Sequence, residues 1–133
     1  MNQRLNWFEA EQYCNRLGGN LASFSSRRSL ARVTLGQQLD ERNNRFWIGL
    51  NKLNGNLCFG WSDAQPYIFA SWDQGQPDNW GNFEECVEIM PNSNFNDISC
   101  YVDRGWMCRI PRGVDPTVNP IVISETFPGM YKI

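Results

Sequence analysis

The chain has 133 residues, 41% of them apolar and 14% aromatic, with a formal net charge of −2 and no histidine. That length holds one domain with a single modest core, and the scattered arginines lack the basic footprint that nucleic-acid binding requires. The missing histidine removes His-based acid/base chemistry, Ser–His and Cys–His nucleophile pairs and His-containing zinc sites, so the chain is expected not to be an enzyme.

Asn6 followed by Glu9 makes a capping box, and Trp7, Ala10, Cys14 and Leu17 recur at helical spacing until Gly18-Gly19 stops the pattern. "NLASF" then reads as a short extended link. Ser25 or Ser26 can cap a second helix with Leu30, Val33 and Leu39 on its inner face, ending at "ERNNR". From Phe46 the pattern becomes strand-like: "RFWIGL", a turn at Asn54-Gly55, then "LCFGW" with alternating apolar positions. A long loop follows, "SDAQPYIFASWDQGQPDNWGN", too aromatic for disorder and long enough to suggest function. Two more strands, "ECVEIM" and "GWMCRI", flank a polar turn, "PNSNFND", which makes the sheet mainly antiparallel. The tail, residues 111–133, begins like a proline-rich linker and ends in β-branched and aromatic residues, which predicts strands.

No apolar run approaches the roughly 20 residues that cross a bilayer. No basic-then-apolar leader is read at the N-terminus, so a soluble chain is expected. Five cysteines without a C-x-x-C pair read as disulfides from an oxidising, extracellular compartment sooner than as a metal cluster. Cys86 and Cys100 flank the acidic loop and could close it, and Cys14 and Cys108 could staple the two ends of the core. Cys58 is left over. In an extended "NLCFGWSD", Leu57, Phe59 and Trp61 share one face and Cys58 takes the other, so it is expected to pair between chains or stay a free thiol. A buried, unreactive Cys58 is the competing reading.

The acidic loop carries the chemistry. Calcium takes six to eight oxygen ligands from carboxylates, amides and main-chain carbonyls. Gln76 and Asp78 can point two side-chain oxygens the same way if the Gln76–Pro77 bond is cis. Glu84 brings a third back toward them, and Asn96 and Asp97 would sit on the next strand. Any solvated turn contains such residues, so composition alone does not make a site.

Their order is more specific. Trp47-Ile48-Gly49-Leu50, Gln76-Pro77-Asp78, Glu84 before Cys86, Asn96-Asp97 before Cys100 and Trp106-Met107-Cys108 resemble the C-type lectin domain along nearly the whole chain. The resemblance implies an α+β fold of the C-type lectin-like kind, two helices flanking short, mainly antiparallel sheets with a long calcium-binding loop. It implies disulfides Cys14–Cys108 and Cys86–Cys100. Gln76, Asp78, Glu84, Asn96 and Asp97, the last also through its main-chain carbonyl, fall on the ligands of the family's principal calcium site. In that family two vicinal sugar hydroxyls complete the ion's shell. Gln-Pro-Asp tends to accompany galactose or N-acetylgalactosamine, and Trp80 is placed to stack on the apolar face of such a ring.

Phe95 stands where the family usually has Trp. Lys52 stands where an acid often serves a second ion, so one Ca2+ is expected. The glycine-rich insert after the tryptophan is short, which suggests loose selectivity. The family's opening strand is missing from residues 1–110, and "GMYKI" at the other end offers a substitute, within the chain or by exchange with a neighbour. The other reading of 111–133 is a linker into a following domain, because "CRIPRGVDP" is similar to the linkers of the mannose-receptor family. Expected partners are therefore terminal galactose or N-acetylgalactosamine glycans, with a homodimer possible through Cys58 or tail exchange, on a secreted protein or a receptor ectodomain. The alternative function keeps the calcium to order the loop while an exposed patch around Trp72 and Trp80 binds a protein, ice or a mineral surface.

Overall fold

The computed structural model describes residues 4–37, 45–53, 58–79, 83–111 and 130–132. Helix α1 spans Trp7–Arg16. The Asn6 side chain accepts from the Glu9 N–H at 2.9 Å, and the Glu9 carboxylate accepts from the Asn6 N–H at 3.1 Å, which is the expected capping box. Gly18 adopts φ 88°, a conformation that suits glycine, and ends the helix with its N–H on the Asn15 carbonyl. Strand β1 is Asn20–Leu21 and helix α2 is Arg27–Gln37. Ser26 caps α2 by accepting from the Ser29 N–H at 3.1 Å. Leu30 is buried and Val33 half-buried on the inner face, while Leu39 lies outside the described residues.

The remaining strands are β2 Phe46–Asn51, β3 Gly60–Trp61, β4 Cys86–Ile89, β5 Phe95–Ile98, β6 Gly105–Arg109 and β7 Met130–Lys132. They form one sheet in the order β1-β6-β2-β4-β5, with β3 added to β2 and β7 to β6. The pairings are antiparallel except β2–β6 and β6–β7. Both faces of the centre are covered, which is why "FWIGL" reads as an unbroken apolar run. Trp47, Cys86 and Trp106 pack with Trp7, Ala10 and Cys14 of α1 on one side. Phe46, Ile48, Leu50, Val87, Ile89, Phe95 and Met107 pack with Phe24 and Leu30 on the other.

Disulfides Cys14–Cys108 and Cys86–Cys100 are both formed, with Cα–Cα distances of 5.4 and 5.1 Å. The first ties α1 to β6. The second ties β4 to Cys100, two residues past the end of β5. The structure is thus the α+β, disulfide-stapled fold that the resemblance implies.

Two local readings change, and the reading of the tail as a strand holds for Met130–Lys132. "PNSNFND" is a turn only through Asn94; Phe95–Ile98 is a strand, because Phe95 and Asp97 alternate inward across from β4. "LCFGW" contributes only Gly60–Trp61 as strand, with Cys58 exposed and free of disulfide bonding. The Asn54-Gly55 turn and Leu57 lie outside the described residues. In the tail, Met130–Lys132 lies parallel to β6 with Trp106 opposite Met130, within one chain. Residues 112–129 and 133 lie outside the described residues.

Candidate calcium and ligand site

The edge strand β5 is the platform of the site. The incoming loop runs along it: the Phe95 N–H donates to the Ser71 carbonyl, and the Asp73 N–H donates to the Phe95 carbonyl at 2.9 Å. Gly75, at φ 82°, then reverses the chain, and the Gln76 N–H closes the turn on the Asp73 carbonyl at 2.9 Å. The Gln76–Pro77 bond is cis. The Asp78 N–H donates to Gln76 Oε1 at 3.2 Å and to Asp97 Oδ1 at 3.1 Å, and the Asn79 N–H donates to Asp97 Oδ2 at 2.7 Å. Asn79 takes φ 46° and uses its own Oδ1 to accept from the Glu84 N–H at 3.2 Å, which brings the far limb of the loop back. The outcome is a cluster in which carboxylate oxygens of Asp78, Glu84 and Asp97 lie within 4.8 Å of one another.

This arrangement suits a hard cation. Oxygens on opposite sides of a calcium ion are separated by about 4.6 to 5.2 Å, twice the usual bond length, so the observed spread leaves room for one ion. Asp97 is fully buried, and burial is the main cause of its raised pKa; the N–H bonds from Asn79 and Asp78 oppose the rise, and the Asp78 charge adds to it. A carboxylate has about four lone-pair sites, and the two backbone donors leave Asp97 with others to offer.

Of the five residues expected to act as ligands, the structure brings three together as carboxylates. Gln76 stands next to them with Oε1 on the Asp78 N–H. Asn96 precedes Asp97 on β5 but shares the sheet face of Glu88, directly across the strand pair, and donates from Nδ2 to Glu88 Oε2 at 2.9 Å. Trp80 lies outside the described residues. Trp72 is half-buried, with its ring 4.9 Å from that of Phe59 and its Nε1 donating to Tyr67, so it is not a flat exposed platform. Phe95, in place of the usual Trp, is fully buried and meets Phe24, Trp61, Phe69 and Trp72 ring to ring. Lys52 lies over the Phe59 ring, 5.4 Å from its centre.

Two contributors are new. Asn79 is the hinge that joins both limbs of the loop, and its place beside Gln-Pro-Asp was the available hint. Glu88 is fully buried between Arg45 and Arg104, each at 2.7 Å. The alternation of "CVEI" turns Glu88 to the same face as buried Cys86, so an inward acid was readable. A separate groove of about 400 Å³, lined among others by Ser23, Phe24, Asp63, Ile68 and Arg109, contains none of the expected ligands.

A family model described as the lectin C-type domain matches residues 3–110. The chain belongs to the C-type lectin domain family. This C-type lectin domain is 37% identical over 106 residues to the galactose-specific lectin nattectin of Thalassophryne nattereri, covering 78% of the chain and 67% of that lectin. It is 35% identical over 105 residues to the low affinity immunoglobulin epsilon Fc receptor of Mus musculus, covering 77% of the chain but 30% of the receptor. Among solved structures, the cow carbohydrate-recognition domain of CD23, crystallised in the presence of a GlcNAc2Man3 oligosaccharide, superposes with a TM-score of 0.70 at 30% identity, covering 79% of each chain. Calcium binding is typical of this family, and the structure holds a cluster of three carboxylates, those of Asp78, Glu84 and Asp97. No helix among the described residues is long and apolar enough to cross a membrane.

Proposed function

We propose that this domain binds terminal galactose or N-acetylgalactosamine in a calcium-dependent manner. The convergence of Asp78, Glu84 and Asp97 from two chain segments within 4.8 Å carries the proposal. Gln76, Asp78, Glu84 and Asn96, with the side chain and main-chain carbonyl of Asp97, would hold one Ca2+. Bound there, the ion supplies open coordination positions for a vicinal pair of sugar hydroxyls.

The chain's own groups set which pair fits. The Gln76 amide is the donor of the Gln-Pro-Asp triplet and Asp78 its acceptor, while Glu84 accepts from the other limb. Exchanging amide and acid between the first and third positions would reverse the donor and acceptor sides, so the order favours one hydroxyl geometry over another. Trp80 follows two residues later and would cover the apolar face of a galactose-type ring. The name of nattectin, a galactose-specific lectin, supports this choice of sugar. Few contacts meet one monosaccharide, so single-site affinity is weak and avidity comes from several sites together.

The two disulfides fit an extracellular setting, secreted or on a receptor. Residues 1–110 would form the lectin domain, with Met130–Lys132 of the segment 111–133 adding a parallel strand to β6. The exposed Cys58 thiol would join two copies where a dimer forms. Titrating the domain and its Asp78→Ala variant with calcium and then galactose tests the reading. Galactose binding that persists in a chelator would overturn it.

A further inference from the structure

We infer that Glu88 is a positioning residue for the calcium site, acting through the amide of Asn96; the inference rests on the functional reading above, in which Asn96 is a ligand. An amide side chain has an oxygen end that can bind a cation and a nitrogen end that cannot, and the two are nearly the same shape. Something must decide which end is offered.

Here the decision is made by strand register and a buried charge. Glu88 and Asn96 face one another across β4 and β5, so their side chains lie on one face of the sheet. Glu88 is fully buried, and its carboxylate is fixed by Arg104 Nε on Oε1 and Arg45 Nη1 on Oε2, both at 2.7 Å. Held between two guanidinium groups, the carboxylate has only acceptors to present, so only the nitrogen end of Asn96 can approach it. It does so, with Nδ2 2.9 Å from Oε2. Among the described residues nothing donates to Asn96 Oδ1, so the oxygen is the end left with unused capacity. Asp97, the next residue along the same edge strand, anchors the loop through the Asp78 and Asn79 N–H groups. An inverted amide would put N–H groups on a cation and would also leave Glu88 facing an oxygen. Arg45 and Arg104 thus reach the site at second hand, by holding Glu88, which holds the amide.

The test is a double-mutant cycle on calcium affinity with Glu88→Gln and Asn96→Ala, backed by a measurement on the unmodified protein. Glu88→Gln can either donate or accept and so no longer selects an orientation. It is expected to weaken calcium binding about 10-fold, the lower end for residues that orient metal ligands. In the Asn96→Ala background the same change is expected to alter the affinity less than about 2-fold. Equal weakening in both backgrounds would mean that Glu88 acts through charge or general stability, and would overturn the positioning role. So would Glu88→Gln binding calcium as tightly as the unmodified protein. Should Glu88→Gln fail to fold, side-chain amide resonances of the calcium-free protein decide the matter. Asn96 Nδ2 is expected to show two well-separated protons protected from solvent exchange, and a rapidly exchanging pair overturns the role. Unmodified protein that takes up no calcium overturns the functional reading, and this role with it, whereas normal uptake with an unaffected Glu88→Gln variant overturns this role alone.

Discussion

Asp97→Asn separates what the buried carboxylate does for the fold from what it does for an ion. Asp97 accepts one backbone N–H on each oxygen. Asparagine keeps one acceptor and turns an NH2 group toward the other donor, a loss of roughly 1.5 to 3 kcal/mol for a hydrogen bond to a charged group. Against this, the substitution removes a charge that burial and the neighbouring Asp78 disfavour, as the raised pKa of Asp97 records. The two effects oppose, so in chelator the variant should melt within about 4 °C of the unmodified protein, equivalent to about 1 kcal/mol at this size. In calcium the balance differs. A ligand present at 100 times its Kd stabilises a fold by about 2.7 kcal/mol; if losing this ligand weakens binding about 100-fold, the gain at the same concentration falls to about 0.4 kcal/mol. The calcium-induced rise in Tm should therefore shrink by about 9 °C. Differential scanning calorimetry with and without calcium reads both numbers. A variant that melts far lower in chelator yet keeps its calcium-induced rise would refute the reasoning, because Asp97 would then be a structural acid and not a ligand.

The same residue gives a pH prediction. Its pKa is raised in the fold, so between the ordinary value of 3.8 and the raised one the metal-free native state holds more protons than the unfolded chain, and its stability falls as pH rises through that window. The stability difference between unmodified protein and Asp97→Asn, measured in chelator, should follow that fall. In calcium the slope should reverse, since the ion needs the deprotonated acid. Gly19→Ala should prevent stable folding or cost about 3 kcal/mol. Its Cβ would lie 2.1 Å from the Arg109 carbonyl oxygen, where β1 meets β6, and thermal melts check it. Replacing the Cys14–Cys108 pair, separated by 94 residues, should cost about 4.7 kcal/mol by chain entropy, against about 3 kcal/mol for Cys86–Cys100, separated by 14, and denaturant unfolding would give the order. Cys58→Ser should leave the Tm unchanged and abolish any disulfide-linked dimer on a non-reducing gel.

Much of this was legible because the signals are local or set by order. The Asn6–Glu9 cap depends on a three-residue spacing, and "FWIGL" reads as a doubly covered strand without reference to its partners. The candidate ligands of the loop were readable as an ordered series, and the structure brings the acidic three together. What the sequence withheld depends on register. Phe95–Ile98 looks polar enough for a turn, and only pairing with β4 makes it an edge strand. That same register sets Asn96 against Glu88, and the pairing of β2 with β4 and β6 brings Arg45 and Arg104, 59 residues apart in numbering, around one carboxylate. Asn79 was passed over because its role is to tie Glu84 and Asp97 together, a contact between limbs that no spacing rule encodes.

Isothermal titration with galactose, in calcium and again after chelation, tests the central claim most directly. The account predicts weak, saturable heat in calcium, none in chelator, and none for Asp78→Ala in either condition. Equal galactose binding with and without calcium would contradict it.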